Sequence, residues 1–305
     1  MAKLSTMRNK ECSQSVLVYG APKTGKTALA GQLAAAGYNV LWLDLEAGRQ
    51  TLLTSLDEAA LERIEYIQIP DTLDNPVAVR TVGMAFTGAP GTICELHGEW
   101  NCSKCKAANA PVVTVCLREL DESWVVVVDS VSQLSDSALA HATRGVRAGL
   151  FTTTDPKRAE RDHYSHVGMM LSSIFSNMQQ GRYHRVFIGH EDVIEAADGS
   201  ESILPRCGTR NFSRQFTRSF DHVVYTFRQN GKHKAASSTA YRANILTGSR
   251  SSISMESGAT LADLLRATLV QRTEDAAPAA PNAPAIATGK NAALLAKLNA
   301  TKPPQ

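Results

Sequence analysis

Residues 20–27 constrain the fold of this chain more than any other stretch. Their sequence, GAPKTGKT, fits the phosphate-loop pattern G-x-x-x-x-G-K-[ST] at every constrained position. The apolar residues 16–19 predict a buried strand before it, and residues 28–36 predict a helix after it. In this context the N–H groups of the loop and the positive end of the helix face phosphate oxygens. The stretch predicts a nucleoside triphosphate site; the alternative is an ordinary glycine-rich turn.

The loop residues have separate tasks in such a site. Gly20 and Gly25 let the backbone curl around phosphate groups. Lys26 would reach the β- and γ-phosphates as a catalytic cation, and the hydroxyl of Thr27 would ligate Mg²⁺. The predicted ATP contacts of this stretch are Gly20, Ala21, Pro22, Lys23, Thr24, Gly25, Lys26, Thr27 and Ala28.

Composition limits the remaining possibilities. The 305 residues can form one large α/β core, and a net charge of +3 means that nucleic-acid binding would require local basic patches. No apolar run approaches the roughly 20 residues that span a membrane, and residues 1–10 lack the apolar core of a secretory signal. Six cysteines, three of them clustered, indicate a metal site in a reducing compartment. We therefore expect a cytoplasmic protein without a membrane partner.

Predicted strands and helices alternate along the chain. The predicted strands are 16–19, 40–44, 66–69, 112–117, 124–129, 185–188, 222–227 and 240–246, and the predicted helices are 28–36, 77–86, 130–141, 164–180 and 260–271. This alternation, with the phosphate loop after the first strand, predicts an α/β three-layer sandwich around a mainly parallel sheet. Residues 143–161 and 195–210 are expected to be loops. Residues 1–273 would form one domain with an insertion at 88–113, and the Ala/Pro-rich residues 274–305 would be a disordered tail.

Two acidic residues follow predicted core strands. Asp129 ends the β-branched run 124–129 and would hold Mg²⁺ directly or through water. Glu46 lies just past the end of the second predicted strand, 40–44. A carboxylate at this position can orient the water that attacks the γ-phosphate. For Asp129 the alternative is a solvated acid at a strand end, and for Glu46 it is a capping acid.

The motifs together resemble the RecA-like ATPases. Asp44-Leu45-Glu46 is similar to the strand end that carries their catalytic glutamate. The strand that ends in Asp129-Ser130 is similar to their metal-binding strand, and residues 185–191 are similar to their sensor strand. More narrowly, residues 16–246 resemble the compact phage-encoded RecA-like proteins of the Sak group. His190 stands at the sensor position, where bacterial RecA has glutamine.

The resemblance carries functional implications. It implies a RecA-like fold, ATP hydrolysis that depends on Mg²⁺, and a contact between His190 and the nucleotide; a core histidine is the alternative. It implies single-stranded DNA as a partner, assembly with itself in a ring or filament, and a single-strand-binding protein as a further partner. The activity would be annealing or strand exchange in DNA recombination, in the host cytoplasm if the protein is phage-encoded.

The insertion contains four residues that could bind zinc. Cys94, His97, Cys102 and Cys105 form two ligand pairs, each with two residues between its members. Such a set can surround a tetrahedral Zn²⁺ and leaves no open position, so the metal would be structural. The alternative is loose cysteines and a surface histidine.

An arginine row follows the second predicted loop. Arg206, Arg210, Arg214 and Arg218 recur every four residues, and Phe212, Phe216 and Phe220 share that period with an offset of two. On a helix the two rows would lie on opposite faces, with the phenylalanines inward. The outward arginines could contact DNA phosphates, enter a neighbouring subunit's ATP site, or remain solvated.

These features leave competing functions. The first is a DNA-dependent recombination ATPase. The second is a nucleotide-binding regulatory or assembly module without DNA, and the third is a helicase motor, although no extra strand-separating domain is evident. A small-molecule kinase is disfavoured because no acceptor-binding motif is found.

Overall fold

The computed structural model describes residues 13–72, 74–147, 159–195, 198–239 and 241–266, without the side chains of 145–147. The chain divides into two units, Met1–Leu269 and Val270–Gln305. The second unit, and with it the predicted tail at 274–305, lies outside the described residues, as does most of the predicted loop at 143–161. Among the helices that are described, none has the length and apolar character to cross a membrane.

A mainly parallel sheet forms the middle layer, in the strand order β10-β9-β1-β7-β6-β2-β3. Strands β8, β10 and β11 run antiparallel to their neighbours, and β4 and β5 form a separate antiparallel pair. The strands are β1 Ser15–Gly20, β2 Asn39–Asp44, β3 Ile64–Gln68, β4 Gly91–Cys94, β5 Val112–Val115, β6 Trp124–Asp129, β7 His184–Glu195, β8 Glu201–Pro205, β9 His222–Gln229, β10 Lys232–Ala236 and β11 Gly248–Ser249.

Helices cover both faces of the sheet. They are α1 Lys26–Ala35, α2 Arg49–Ser55, α3 Glu58–Leu61, α4 Ala78–Phe86, α5 Ser103–Ala107, α6 Val131–Arg147, α7 Arg161–Met178 and α8 Arg210–Gln215, and residues 261–266 are also helical. The predicted three-layer α/β sandwich is thereby confirmed.

Alternate side chains of each central strand enter different cores. Leu17 and Tyr19 of β1 belong to one buried cluster, with α4, α6 and α7, whereas Val16 and Val18 belong to the other, with α1. All four are fully buried, which requires both faces of the strand to be covered. A strand that is buried on both faces has no polar residues alternating with its apolar ones. The continuous β-branched and apolar runs of the sequence therefore predicted the central strands.

The parallel register aligns the six parallel strands β9, β1, β7, β6, β2 and β3, so that they run toward one common edge. Gly20 at the end of β1 pairs with His190 of β7 on one side and with Thr226 of β9 on the other. Asp44 at the end of β2 pairs with Asp129 of β6. Ligands of open parallel sheets bind at this edge, and the phosphate loop follows directly from it.

Two sequence predictions about the second half were wrong. Residues 240–246 were predicted as a strand, but the partner of β9 is β10, Lys232–Ala236, directly after the turn at Asn230 and Gly231. Residues 195–210 were predicted as a loop, but β7 continues to Glu195 and pairs with β8. In β10, residues 232–234 are polar and exposed, and so are Glu195 and Glu201 of the β7–β8 pair. These segments therefore lack the apolar pattern on which the strand predictions depended.

The insertion is a small ordered module rather than an irregular segment. β4 and β5 pair antiparallel, and α5 lies between them in sequence. The module packs on the end of β3: a Cβ added to Gly98 would lie 2.8 Å from the Cα of Ile69, and Thr81 of α4 donates a hydrogen bond to the Gly98 carbonyl at 2.7 Å.

The buried histidine of β7 predicts a pH dependence of stability. The Nδ1 atom of His184 accepts a hydrogen bond from the Gln14 N–H at 3.0 Å. Burial, and next the charge of Arg185, lower the pKa of His184 to about 4. The unfolded chain takes up this proton near pH 6.5, so the folded state loses up to about 3 kcal/mol of stability as the pH falls from 6.5 to 4.

His184→Asn keeps an acceptor for the Gln14 N–H and removes the titration. Thermal unfolding between pH 7 and pH 4 should therefore show a smaller loss of Tm in this variant than in the wild type. His233→Asn, which changes an exposed histidine, should follow the wild-type curve. Parallel curves for His184→Asn and the wild type would contradict the assignment.

Candidate functional site

The phosphate loop adopts a conformation that only its glycines make accessible. A Cβ at Gly20 would lie 2.2 Å from the Thr226 carbonyl oxygen, and Gly25 has a φ of 90°. Thr24 donates a hydrogen bond to the Ala21 carbonyl at 2.8 Å, which closes the loop on itself. The loop then leads directly into α1 at Lys26.

Lys26 is held inside the loop by two backbone carbonyls. Its Nζ donates to Gly20 at 3.0 Å and to Ala21 at 2.8 Å. Burial lowers the pKa of Lys26, and the nearby carboxylates of Asp129 and Glu46 oppose that shift. The ammonium group therefore lies among acidic side chains, within the loop where phosphate groups bind in proteins with this motif.

Thr27 and Asp129 meet as a hydroxyl–carboxylate pair. The Thr27 hydroxyl donates to Asp129 Oδ2 at 3.0 Å. Burial, and next the negative charges of Asp44 and Glu46, raise the pKa of Asp129 to about 7. Three carboxylates thus lie close together beside one threonine hydroxyl. The Thr27 hydroxyl and the Asp129 carboxylate are hard oxygen donors of the kind that Mg²⁺ prefers, so these two residues fit the predicted metal.

Glu46 and His190 meet across the edge of the sheet. The Nε2 atom of His190 lies 3.1 Å from both carboxylate oxygens of Glu46, and the Ser130 hydroxyl donates to the same carboxylate. Burial alone would raise the pKa of Glu46, but the hydrogen bonds from His190 and Ser130 outweigh it and hold the pKa below its usual value. Glu46 is therefore an ionised acceptor at neutral pH. The two side chains remain about one-third exposed, at 32% and 30%.

Asp44 and Tyr66 are two residues of this site that the sequence did not single out for a role. The buried Asp44 accepts hydrogen bonds from the N–H groups of Glu46 at 2.9 Å and Gly48 at 2.6 Å, and from the Tyr66 hydroxyl. Ala47 between them has a φ of 57°. Asp44 thus holds the turn that carries Glu46. The position of Asp44 at a strand end was a signal, whereas the contribution of Tyr66 depends on the register between β2 and β3.

A cavity of about 670 Å³ opens beside the phosphate loop. One wall is α1, with Ala28 and Gln32, and another is formed by β9 and β10. Tyr241 lines the third side, with Phe227 5.4 Å away between ring centroids and the Arg242 guanidinium 5.3 Å over its ring. An aromatic ring and amide groups next to a phosphate site suit a planar heterocycle.

The four predicted zinc ligands converge in the insertion. Their ligand atoms all lie within 4.8 Å of one another, and His97 Nδ1 lies 3.7, 3.7 and 3.2 Å from the Sγ atoms of Cys94, Cys102 and Cys105. A tetrahedral zinc with bonds of about 2.0 to 2.3 Å separates its ligands by about 3.5 to 3.8 Å. Burial, and next the neighbouring thiols, raise the pKa of Cys105 to about 12. The donor set therefore fits Zn²⁺, whose binding would displace the thiol protons.

The arginine row does not form one helical stripe. Arg206 lies in the loop before α8 and pairs with both oxygens of Asp136 at 2.8 and 2.9 Å. Arg210 and Arg214 are exposed on α8, and Arg218 is exposed on the 3₁₀ turn that follows. The helix ends early, but Phe216 and Phe220 still pack inward.

Residues 13–251 match a family model described as an AAA domain, AAA_24. No curated protein matches the sequence. Among solved structures, an ATPase from the type III secretion system of pathogenic bacteria is similar, with 15% identity and a TM-score of 0.38. The similarity covers 71% of this chain and 53% of that one, so the chain spans about half the length of that ATPase. The family match covers more than half of the sequence, and the chain belongs to the AAA_24 family of AAA-domain P-loop ATPases.

Proposed function

We propose that this protein is an ATP- and Mg²⁺-dependent RecA-like ATPase that binds single-stranded DNA and promotes annealing or strand exchange, like the phage Sak group. The observation that carries the proposal is the contact between Glu46 and His190 at the edge that bears the phosphate loop. A catalytic acid in contact with the residue at the sensor position links hydrolysis to the segments that follow β7. Membership of the AAA_24 family supports the ATPase part.

The residues of the edge divide the work of hydrolysis. The phosphate loop and Lys26 would bind the triphosphate, and Thr27 and Asp129 would hold Mg²⁺, which would neutralise charge on the phosphate oxygens. Glu46 orients the attacking water and accepts its proton, since its carboxylate is ionised at neutral pH. To act on water, Glu46 exchanges part of its bonding with Ser130 and His190, so a His190 side chain that turns toward the γ-phosphate releases it.

The cavity beside the loop suits the nucleoside part of ATP. It begins at Thr24, Gly25 and Ala28, next to the proposed phosphate site. Tyr241 offers an aromatic face for stacking, and Gln32 offers an amide for the edge of the base. The volume of about 670 Å³ lies in the usual range for small-ligand sites.

The DNA surface is assigned to the exposed arginines of α8 and its following turn. Arg214 and Arg218 make no ion pair with any residue that the structure describes. Arg206 is a weaker candidate because Asp136 already neutralises it. Its backbone connects this region to the site: the Arg206 N–H donates to the His190 carbonyl at 2.8 Å, and Ser132 bridges the same two residues.

The ATPase rate of the wild type should rise when single-stranded DNA is added. In Arg214→Ala/Arg218→Ala, DNA binding should weaken, and the negative slope of log K against log salt should become shallower by about 1.4, because each phosphate contact on a single strand contributes about −0.7. Arg182→Ala, which removes an exposed arginine paired with Glu122, is the control. A wild-type rate near zero with or without DNA would favour the regulatory or assembly module instead.

Asp44 and Tyr66 should affect turnover rather than nucleotide affinity. Asp44→Asn leaves one backbone N–H of the Glu46 turn without an acceptor, and displacement of a catalytic group by about 1 Å can cost about 100-fold. We expect kcat to fall about 10- to 100-fold with KM for ATP nearly unchanged, and Tyr66→Phe to have a smaller effect in the same direction. Tyr164→Phe, at an exposed tyrosine of α7, should match the wild type. A raised KM at unchanged kcat would refute this role.

We also propose that Cys94, His97, Cys102 and Cys105 hold a structural Zn²⁺. Three of the four are almost fully buried in a cluster with little other apolar surface, so metal bonds would supply the stability that a hydrophobic core supplies elsewhere. Through Gly98 the module packs on the end of β3. The metal would thereby fix the edge of the sheet near Tyr66.

Purified protein should contain about one zinc per chain by elemental analysis. Cys102→Ser should lose the metal and unfold at a lower temperature, because it removes a ligand that nothing else replaces. Cys116→Ser, at a cysteine outside the cluster, should retain it. Wild-type protein free of zinc and of comparable metals would contradict the proposal.

The remaining partners follow from the same class of protein. We propose self-assembly into a ring or filament, contact with a single-strand-binding protein, and action in the cytoplasm of the cell or phage host.

A further inference from the structure

Strand β7 continues past the sheet into an acidic arm, formed by residues 191–195 and by β8, Glu201–Pro205. Between His190 and Arg206 the chain has five acids and no lysine or arginine. Glu195 and Glu201 are exposed and lie directly opposite each other in the register. Like charges in that arrangement repel. Neither is in an ion pair within the described part of the chain, so the repulsion has no intramolecular relief there.

The hairpin of β9 and β10 has the opposite charge. Residues 222–255 contain five lysines and arginines and no acid. Arg228, Lys232 and Lys234 are exposed near its turn, and none of them forms an ion pair with a described residue. β10 is also the end strand of the sheet order. This basic hairpin is therefore an unpartnered, positively charged sheet edge.

The acidic arm and the basic hairpin stand on either side of the phosphate loop. β7 and β9 are the two neighbours of β1, and both continue past Gly20, by five and three residues respectively. At about 3.3 Å per residue they project about 16 and 10 Å beyond the loop. Surfaces of opposite sign thus frame the proposed nucleotide site from two sides.

We propose that the acidic arm of one copy of this chain docks on the basic hairpin of a second copy. Each copy has one surface of each sign, so the contact can repeat from copy to copy or close on itself. Because both surfaces flank the phosphate loop, the contact lies beside bound nucleotide. The inference rests on the proposed self-assembly and identifies the surfaces that produce it.

Charge complementarity favours this occupant over nucleic acid. A DNA strand would satisfy the basic hairpin but would be repelled by the acidic arm next to it, whereas a second copy satisfies both. Assembly held by exposed charges should also weaken as salt is raised, since the Debye length falls from about 10 Å at 0.1 M to about 3 Å at 1 M.

The test uses two charge-reversed full-length variants. Glu195→Lys/Glu201→Lys reverses the two facing glutamates of the arm, so that lysines meet the basic hairpin. Arg228→Glu/Lys232→Glu reverses two exposed basic residues of the hairpin, so that glutamates meet the acidic arm. Sedimentation with a non-hydrolysable ATP analogue should show the wild type as an oligomer and each variant alone at the 32.8 kDa monomer mass. An equimolar mixture of the two variants should recover the oligomer, because every contact between unlike variants again joins opposite charges. Circular dichroism and Tm confirm that each variant is folded.

Three results would overturn the inference. They are a wild type that stays monomeric, a variant that assembles alone as the wild type does, and a mixture that stays monomeric while both variants are folded. If Arg228→Glu/Lys232→Glu assembles normally but loses single-stranded DNA binding, the basic hairpin belongs to nucleic acid instead. ATPase and DNA binding are measured separately, so their absence in an assembling wild type contradicts the proposed function and leaves this inference standing.

Discussion

The buried carboxylate of Asp44 organises the edge of the sheet. It accepts hydrogen bonds from two backbone N–H groups of the turn after β2 and from the Tyr66 hydroxyl of the neighbouring strand. A buried carboxylate is stable only when its oxygens are satisfied in this way. The turn therefore has one conformation, and Glu46 projects from it toward His190 and Ser130. The electrostatics of the site depend on this placement.

Three carboxylates and one ammonium group share a small volume beside the phosphate loop. Burial and the charges of Asp44 and Glu46 raise the pKa of Asp129 to about 7, while burial lowers that of Lys26. A bound Mg²⁺ would supply positive charge beside the carboxylates, and a triphosphate would supply negative charge beside Lys26. The site is therefore arranged for a charged ligand pair, and its own residues compensate one another only in part.

The sequence predicted the elements that local patterns determine. The phosphate loop was predicted from the spacing of its motif, and the central strands were predicted from apolar runs that indicate burial on both faces. Neither prediction needs information about contacts between distant parts of the chain. Tyr66 could not be found this way, because its role arises from the register between β2 and β3. The β10 strand and the extension of β7 were missed because most of their residues are polar and at least partly exposed, so these segments lack apolar periodicity. The pairing of Arg206 with Asp136 was missed as well, because it joins residues that are 70 positions apart in the sequence.

The central claim is that Glu46 serves hydrolysis and not binding. The most direct measurement is a single-turnover assay of Glu46→Gln with radiolabelled ATP, beside equilibrium binding of the same nucleotide. We expect binding close to the wild-type affinity and phosphate release at least about 100-fold slower than in the wild type. Phosphate release at the wild-type rate, with binding intact, would contradict this claim.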